Sequence, residues 1–235
     1  MSSLNKRTGP VKAVVFDLDG TLYDQSQYID QGFAAAARKI QKDFGLSARA
    51  GAALLKHMRR LYAEGKRVRI FNQVLAPVLA HLGARGINEY VEKHLLYYYK
   101  LTPRRVRLWP QAKTLLQFLR RRKLRIGLVT QGSVVDQVHK LVQLQAVHLF
   151  DVVEISGFYP AAKAKPSPFM FRRVLTRLGV RPSESIFVGD DLHNDIGAAQ
   201  AGMRFLFLVS KKDKYLGKDP RVNVIRSLLQ VKDHL

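Results

Sequence analysis

Two kinds of apolar run alternate along this chain. Short, mainly apolar runs at Ala13–Phe16, Arg125–Thr130, Val152–Ile155, Ser185–Asp190 and Arg204–Val209 predict five strands. Runs of this kind suit strands buried on both faces, as in a parallel sheet. Elsewhere apolar residues recur every three to four positions, the period of a helix with one buried face. That spacing predicts helices over Gln27–Phe44, Ala48–Ala63, Val68–Leu82, Ile87–Tyr99, Gln111–Arg122, Val134–Leu144, Pro168–Leu178 and Asn194–Ala201. Gly45, Gly83, Gly179 and Gly202 read as stops, Ser47 as an N-cap and Pro77 as a bend. Four helices in succession separate the first strand from the second, after which strands and helices alternate. The alternation predicts an α/β core with helices on both faces of a parallel sheet. The run of four helices predicts an insertion into it. The expected domains are a core of 11–22 with 101–235, an inserted helical cap of 23–100, and a disordered basic lead-in of 1–10. There is no internal repeat and no low-complexity tract.

The strand ends carry the polar residues that matter. The first strand runs into Asp17-Leu18-Asp19-Gly20-Thr21. A carboxylate at the end of a buried strand is costly unless paired or bound to a metal. The second strand ends at Thr130, the fourth at Asp190, and Lys165 sits in the loop after the third. In an open parallel sheet these ends share one edge, where ligands bind. Carboxylates there supply a nucleophile, an acid/base group and hard oxygen ligands for a divalent cation. A hydroxyl and an ammonium hold phosphoryl oxygens. Together they are the equipment of phosphoryl transfer.

Composition sharpens this picture. The 235 residues include 40 Lys and Arg against 18 Asp and Glu, a formal net charge of +22. Six of the scarce acids, Asp17, Asp19, Asp24, Asp190, Asp191 and Asp195, fall in two short stretches, a pattern that suits a divalent-cation site with hard oxygen ligands. The positive field attracts anions, from phosphorylated metabolites to nucleic acid. The basic runs at 59–60, 66–69, 104–107 and 120–123 lack an accompanying nucleic-acid motif, so a solvated basic surface is the favoured reading. Cysteine is absent, which excludes disulfides and thiolate metal sites. No apolar run reaches the roughly 20 residues that span a bilayer, and the start lacks the apolar core of a signal peptide. A cytoplasmic location is expected.

Asp17-Leu18-Asp19-Gly20-Thr21-Leu22, Thr130-Gln131-Gly132, Lys165-Pro166-Ser167-Pro168 with Phe171, and Gly189-Asp190-Asp191-Leu192-His193-Asn194-Asp195 resemble, in order, the four motifs of the haloacid dehalogenase-like hydrolases. The resemblance implies a doubly wound, Rossmann-like α/β core with an inserted helical-bundle cap of the C1 type. It implies a phosphatase acting on a small phosphorylated metabolite. Asp17 would be the nucleophile and form an aspartyl-phosphate, and Asp19 the acid/base group. Thr130 and Lys165, with amides near Leu18, Asp19 and Gln131, would bind phosphate. Mg2+ would be held by Asp17, the Asp19 carbonyl and Asp190, with Asp195 supporting the metal or Lys165. Asp19 favours phosphatase over dehalogenase, since members that break carbon–halogen bonds lack an aspartate there. Gln131 replaces the more usual asparagine, and Asp191 is an extra acid that could bind metal in place of Asp195 or lie exposed. Lys163 competes with Lys165 for the phosphate, and Lys165 is preferred because it directly precedes the Pro-x-Pro segment.

Several residues keep plainer readings. His193 reads as a solvated loop residue, Phe71 as helix packing and Trp109 as packing at the return from the insertion. Tyr23, Asp24 and Gln25 would line a pocket or form a hinge. Tyr97, Tyr98 and Tyr99 cannot all face one way on a helix, so at least one is exposed or at the core–cap boundary. Two other readings stay open: a polyanion- or nucleic-acid-binding protein on the same fold, and a phosphotransferase or mutase.

Overall fold

The computed structural model describes residues 9–209 and 222–235. Residues 1–8, most of the expected lead-in, lie outside the described residues. The chain divides into two compact units: the described residues up to Gln25 with those from Val106 onward, and Ser26–Arg105.

The first unit is built on a six-stranded, wholly parallel sheet in the order β3-β2-β1-β4-β5-β6. Its strands are β1 (Ala13–Phe16), β2 (Arg125–Thr130), β3 (Val152–Ile155), β4 (Ser185–Gly189), β5 (Arg204–Leu208) and β6 (Val222–Ile225). All four β1 residues are fully buried, as a central strand with helices on both faces requires. Val15 lies between Gly127 of β2 and Phe187 of β4. The sixth strand was not among the five expected. Val222-Asn223-Val224-Ile225 is a short edge strand with Asn223 and Val224 exposed, so it lacks the apolar run that marks the others.

Four α-helices among the described residues belong to this unit, α6 (Pro110–Arg121), α7 (Val134–Gln143), α8 (Phe169–Leu178) and α9 (Leu192–Gln200), together with the first residue of α1 (Gln25–Asp43). α8 packs on β2 and β3, and α9 on β5. Phe171 of α8 meets Phe187 of β4 edge-on at 5.0 Å, and Phe187 continues to Phe205 at 5.8 Å. Gly179 ends α8 in the left-handed conformation, φ 67°, which a glycine adopts without a Cβ penalty.

α7 is unusual. Its valines 135, 138 and 142 are exposed, whereas Gln137, Lys140 and Leu141 are buried. The helix turns two polar side chains inward and an apolar row outward, the reverse of an ordinary amphipathic helix.

The second unit holds the rest of α1 with α2 (Ala48–Ala63), α3 (Ile70–Leu75), α4 (Gly83–Tyr90), a π turn (Val91–Leu95) and α5 (Leu96–Leu101). Its core gathers Phe33, Ile40, Met58, Leu75 and Leu95. Ser47 caps α2 by accepting from Ala50 N at 3.2 Å. The third expected helix is much shorter than Val68–Leu82. Pro77 has no N–H to carry the ladder past Leu75, and the chain turns before a single 3-10 turn at Ala80–Leu82. Gly83, expected as a stop, does end the 3-10 turn at φ 62° and also opens α4. Phe71 packs in the core against Phe33 and Tyr99. Tyr97 is exposed, whereas Tyr99 packs inward. Arg104, expected within a solvated basic run, is 5% exposed and stacks between Tyr28 at 3.9 Å and Tyr99 at 4.6 Å. No helix among the described residues is long and apolar enough to cross a membrane.

Candidate active site

The sheet register gathers the site. Phe16 ends β1 opposite Leu128 and Val188, and the next amide, Asp17 N, donates to Val188 O at 2.9 Å. β2 continues two residues further to Thr130, and β4 one further to Gly189, followed by Asp190. Asp17, Thr130 and Asp190 therefore leave one edge of the sheet side by side.

The sequence-predicted residues fall into two hydrogen-bonded groups. In the first, Lys165 Nζ donates to Asp17 Oδ1 at 2.6 Å and to Asp195 Oδ1 at 2.7 Å. All three side chains are buried, Asp195 completely. Asp190 stands beside them and accepts from Thr21 Oγ1 at 2.8 Å. Gly20, at φ 82°, is needed twice over: its backbone is left-handed, and a Cβ there would fall on Asp190 Oδ2. A Cβ on Gly189 would likewise fall on Asp195 Oδ2.

Three carboxylates here face one buried ammonium. Burial pushes the Asp17 carboxyl well above its ordinary value, and Asp195 and Asp190 push it further, against the pull of Lys165. Burial also raises Asp195, again opposed by Lys165. Asp190 is pushed up to about 6, chiefly by burial, with Asp195 and Asp191 adding and the Thr21 hydroxyl opposing. Lys165 is held above its usual value by Asp17 and Asp195, which outweigh its own burial. The surplus of buried negative charge and the hard oxygen donors suit a divalent cation. Among the described residues no three His, Cys, Asp or Glu side chains form a ready metal cage. The expected set uses only two side chains, Asp17 and Asp190, plus the Asp19 carbonyl.

The second group surrounds Asp19. Lys140 Nζ donates to Oδ1 at 2.8 Å and to Oδ2 at 2.6 Å. Gln137 Nε2 reaches Oδ2 at 3.4 Å, and the Tyr23 hydroxyl donates to Oδ1. Gln137 also accepts from Thr130 Oγ1 at 3.0 Å and donates to the Gln131 carbonyl at 3.0 Å. Leu18 is fully buried, whereas Gln131 is exposed. Lys140 and Gln137 were not among the residues singled out from sequence. Their signal is the inverted pattern of α7, polar residues in phase with Leu141 on the buried stripe.

The structure separates the rival candidates. Lys165 is buried at the site, whereas Lys163 is exposed and lies over the Phe169 ring at 4.7 Å. Asp191 is exposed and caps α9, accepting from Asn194 N at 3.1 Å, whereas Asp195 points inward from that helix's first turn. His193 is exposed, on the helix and not in a loop. Trp109 is 39% exposed, less packed than expected, though its backbone N donates to Leu22 O at 2.9 Å. A cavity of about 420 Å³ is lined by Gly20 and Asp190 together with Trp109, Gln111 and Arg226; of the acidic group, only Asp190 lines it.

The sequence profile of the haloacid dehalogenase-like hydrolases matches residues 11–202. The chain belongs to this family. Among its relatives in the haloacid dehalogenase-like hydrolases is the glyceraldehyde 3-phosphate phosphatase of Methanopyrus kandleri, 30% identical over 90% of this chain and 88% of that protein. The phosphoserine phosphatase of Thermus thermophilus is 36% identical over 53% of this chain and 51% of its own length. The haloacid dehalogenase-like hydrolase YfnB of Bacillus subtilis, whose crystal structure is bound to magnesium, shares the fold. It superposes with a TM-score of 0.62 at 21% identity, covering 96% of this chain and 99% of that one.

Proposed function

We propose that this phosphatase of the haloacid dehalogenase-like family is magnesium-dependent and hydrolyses a small phosphomonoester through an aspartyl-phosphate on Asp17. The observation that carries the reading is the buried Asp17–Lys165–Asp195 group at the end of the central strand, with Asp190 beside it and Asp19 two residues on. A carboxylate held this way has one oxygen anchored by Lys165 and a second available for attack.

The Asp17 carboxylate attacks phosphorus, and the bond from phosphorus to the ester oxygen breaks. Asp19 gives its proton to that leaving oxygen, so the product is a neutral alcohol. Water then attacks the aspartyl-phosphate. Asp19 takes back a proton, and the bond from phosphorus to Asp17 breaks to release inorganic phosphate. Lys165 and Thr130 hold the phosphoryl oxygens, and Asp195 keeps Lys165 in place. Asp17, Asp190 and the Asp19 carbonyl would hold magnesium, which when bound offsets charge on the carboxylates and the phosphoryl group. The names of the relatives above, on glyceraldehyde 3-phosphate and phosphoserine, support a small substrate.

The test is phosphate release from a panel of small phosphomonoesters, in magnesium and in chelator, beside Asp17→Asn. Release that needs magnesium and is lost in the variant supports the reading. Comparable release by wild type and a cleanly prepared Asp17→Asn overturns it. Water labelled with heavy oxygen separates hydrolysis from transfer, because only hydrolysis places the label in the released phosphate.

A further inference from the structure

We infer that Lys140 and Gln137 of α7 are positioning residues that fix the Asp19 carboxylate for proton transfer to the leaving group. The inference rests on the reading of Asp19 as the acid/base group. Lys140 Nζ contacts both oxygens of Asp19, at 2.8 and 2.6 Å, which fixes the plane of the carboxylate as well as its place. Gln137 links it to the second strand: one amide reaches Asp19 Oδ2, the Gln131 carbonyl and the Thr130 hydroxyl. The proton-transfer residue and the phosphate-binding strand end are thereby held in a common frame.

The helix is built to do this. Ser133 caps α7 by accepting from Asp136 N at 3.2 Å, which sets where the helix starts and so which face turns inward. Residues three apart share a helix face, and positions 137 and 140 are the ones turned in. Lys140 is 7% exposed and Gln137 2%, whereas Val135, Val138 and Val142 are left in solvent. A buried ion pair seldom stabilises a protein more than apolar packing of the same volume. Placing Lys and Gln inward with valines available on the same helix therefore fits a demand for geometry. Misplacing a reacting group by about 1 Å costs on the order of 10²-fold in rate.

The test uses the leaving group as the readout. kcat/KM reports only the steps through formation of the aspartyl-phosphate. An alkyl phosphomonoester needs a proton on its leaving oxygen, whereas 4-nitrophenyl phosphate releases a stable phenolate without one. Lys140→Met is expected to lower kcat/KM about 10²-fold on the alkyl ester and by no more than about threefold on 4-nitrophenyl phosphate. In an Asp19→Asn background the same substitution is expected to cost nothing further on the alkyl ester, because Lys140 acts through Asp19. Equal losses on the two esters, or a full additional loss in that background, would overturn the inference while leaving the phosphatase reading intact. A wild type inactive on both esters would overturn both. Should Lys140→Met fail to give a cooperative thermal transition, the comparison is made in Lys140→Arg. That variant keeps the charge on a different arm and is expected to show the same leaving-group bias at smaller amplitude. Absence of the bias there overturns the inference.

Discussion

Asp190→Asn should make the metal-free protein more stable. Asp190 is half-buried, and its carboxyl is pushed up from 3.8 to about 6, mainly by burial. A carboxyl raised on folding is ionised at a cost in the folded state. The cost is fully present above the folded value and vanishes below the unfolded one. The displacement corresponds to about 3 kcal/mol at neutral pH, and partial solvent access reduces the realised gain to about 1–2 kcal/mol. Asparagine keeps an acceptor for the Thr21 hydroxyl, so the substitution removes charge without orphaning that donor. It also relieves Asp17, which Asp190 pushes up. For a protein of this size the gain corresponds to a rise of about 4 °C in melting temperature. The assay is thermal denaturation in chelator at about pH 8, where the variant should melt higher, and at about pH 4, where the two curves should converge. Magnesium should raise the melting temperature of the wild type and leave the variant nearly unmoved, since only a ligand of the folded state stabilises it. A variant that melts lower than wild type at about pH 8, or gains as much from magnesium, would refute the charge-crowding argument.

Two other substitutions test the frame. Lys165→Met leaves Asp17 and Asp195 buried without their shared cation and should cost about 3–5 kcal/mol in urea unfolding at neutral pH. A loss below about 1 kcal/mol would show that the pair is not buried as described. In the helical unit, a Cβ at Gly32 would lie 2.5 Å from Arg104 Nη2 and 2.5 Å from a Tyr99 ring carbon. Gly32→Ala should therefore destabilise that unit by about 1–2 kcal/mol despite the better helix propensity of alanine. An unchanged or raised denaturation midpoint would count against that packing.

The fold was legible where burial writes a simple pattern. β1, β2 and β4 are buried along their central residues, which are apolar or glycine, and the polar residues that follow them at the carboxyl ends stand out. β6 lies at the edge with Asn223 and Val224 in solvent, and no such run announces it. The third helix failed for a local reason, the missing N–H of Pro77, which outweighed an apolar period that continued to Leu82. Lys140 and Gln137 were hidden because α7 inverts the usual rule. Its valines suggest a core face, and only a long-range partner, Asp19, explains why the polar side chains are the buried ones. Asp191 and Asp195 could not be told apart by composition. Helix phase separates them, the first capping the turn from outside and the second pointing in.

Gly20 and Gly189 take part in no chemistry, yet each occupies space that a carboxylate fills. A single methyl group at either place displaces an acid without altering one. Drift at these two positions is thus a short evolutionary path by which a descendant could keep the sheet and every charged residue, and still fall silent as an enzyme. Inspection of its acids alone would pass such a descendant as active.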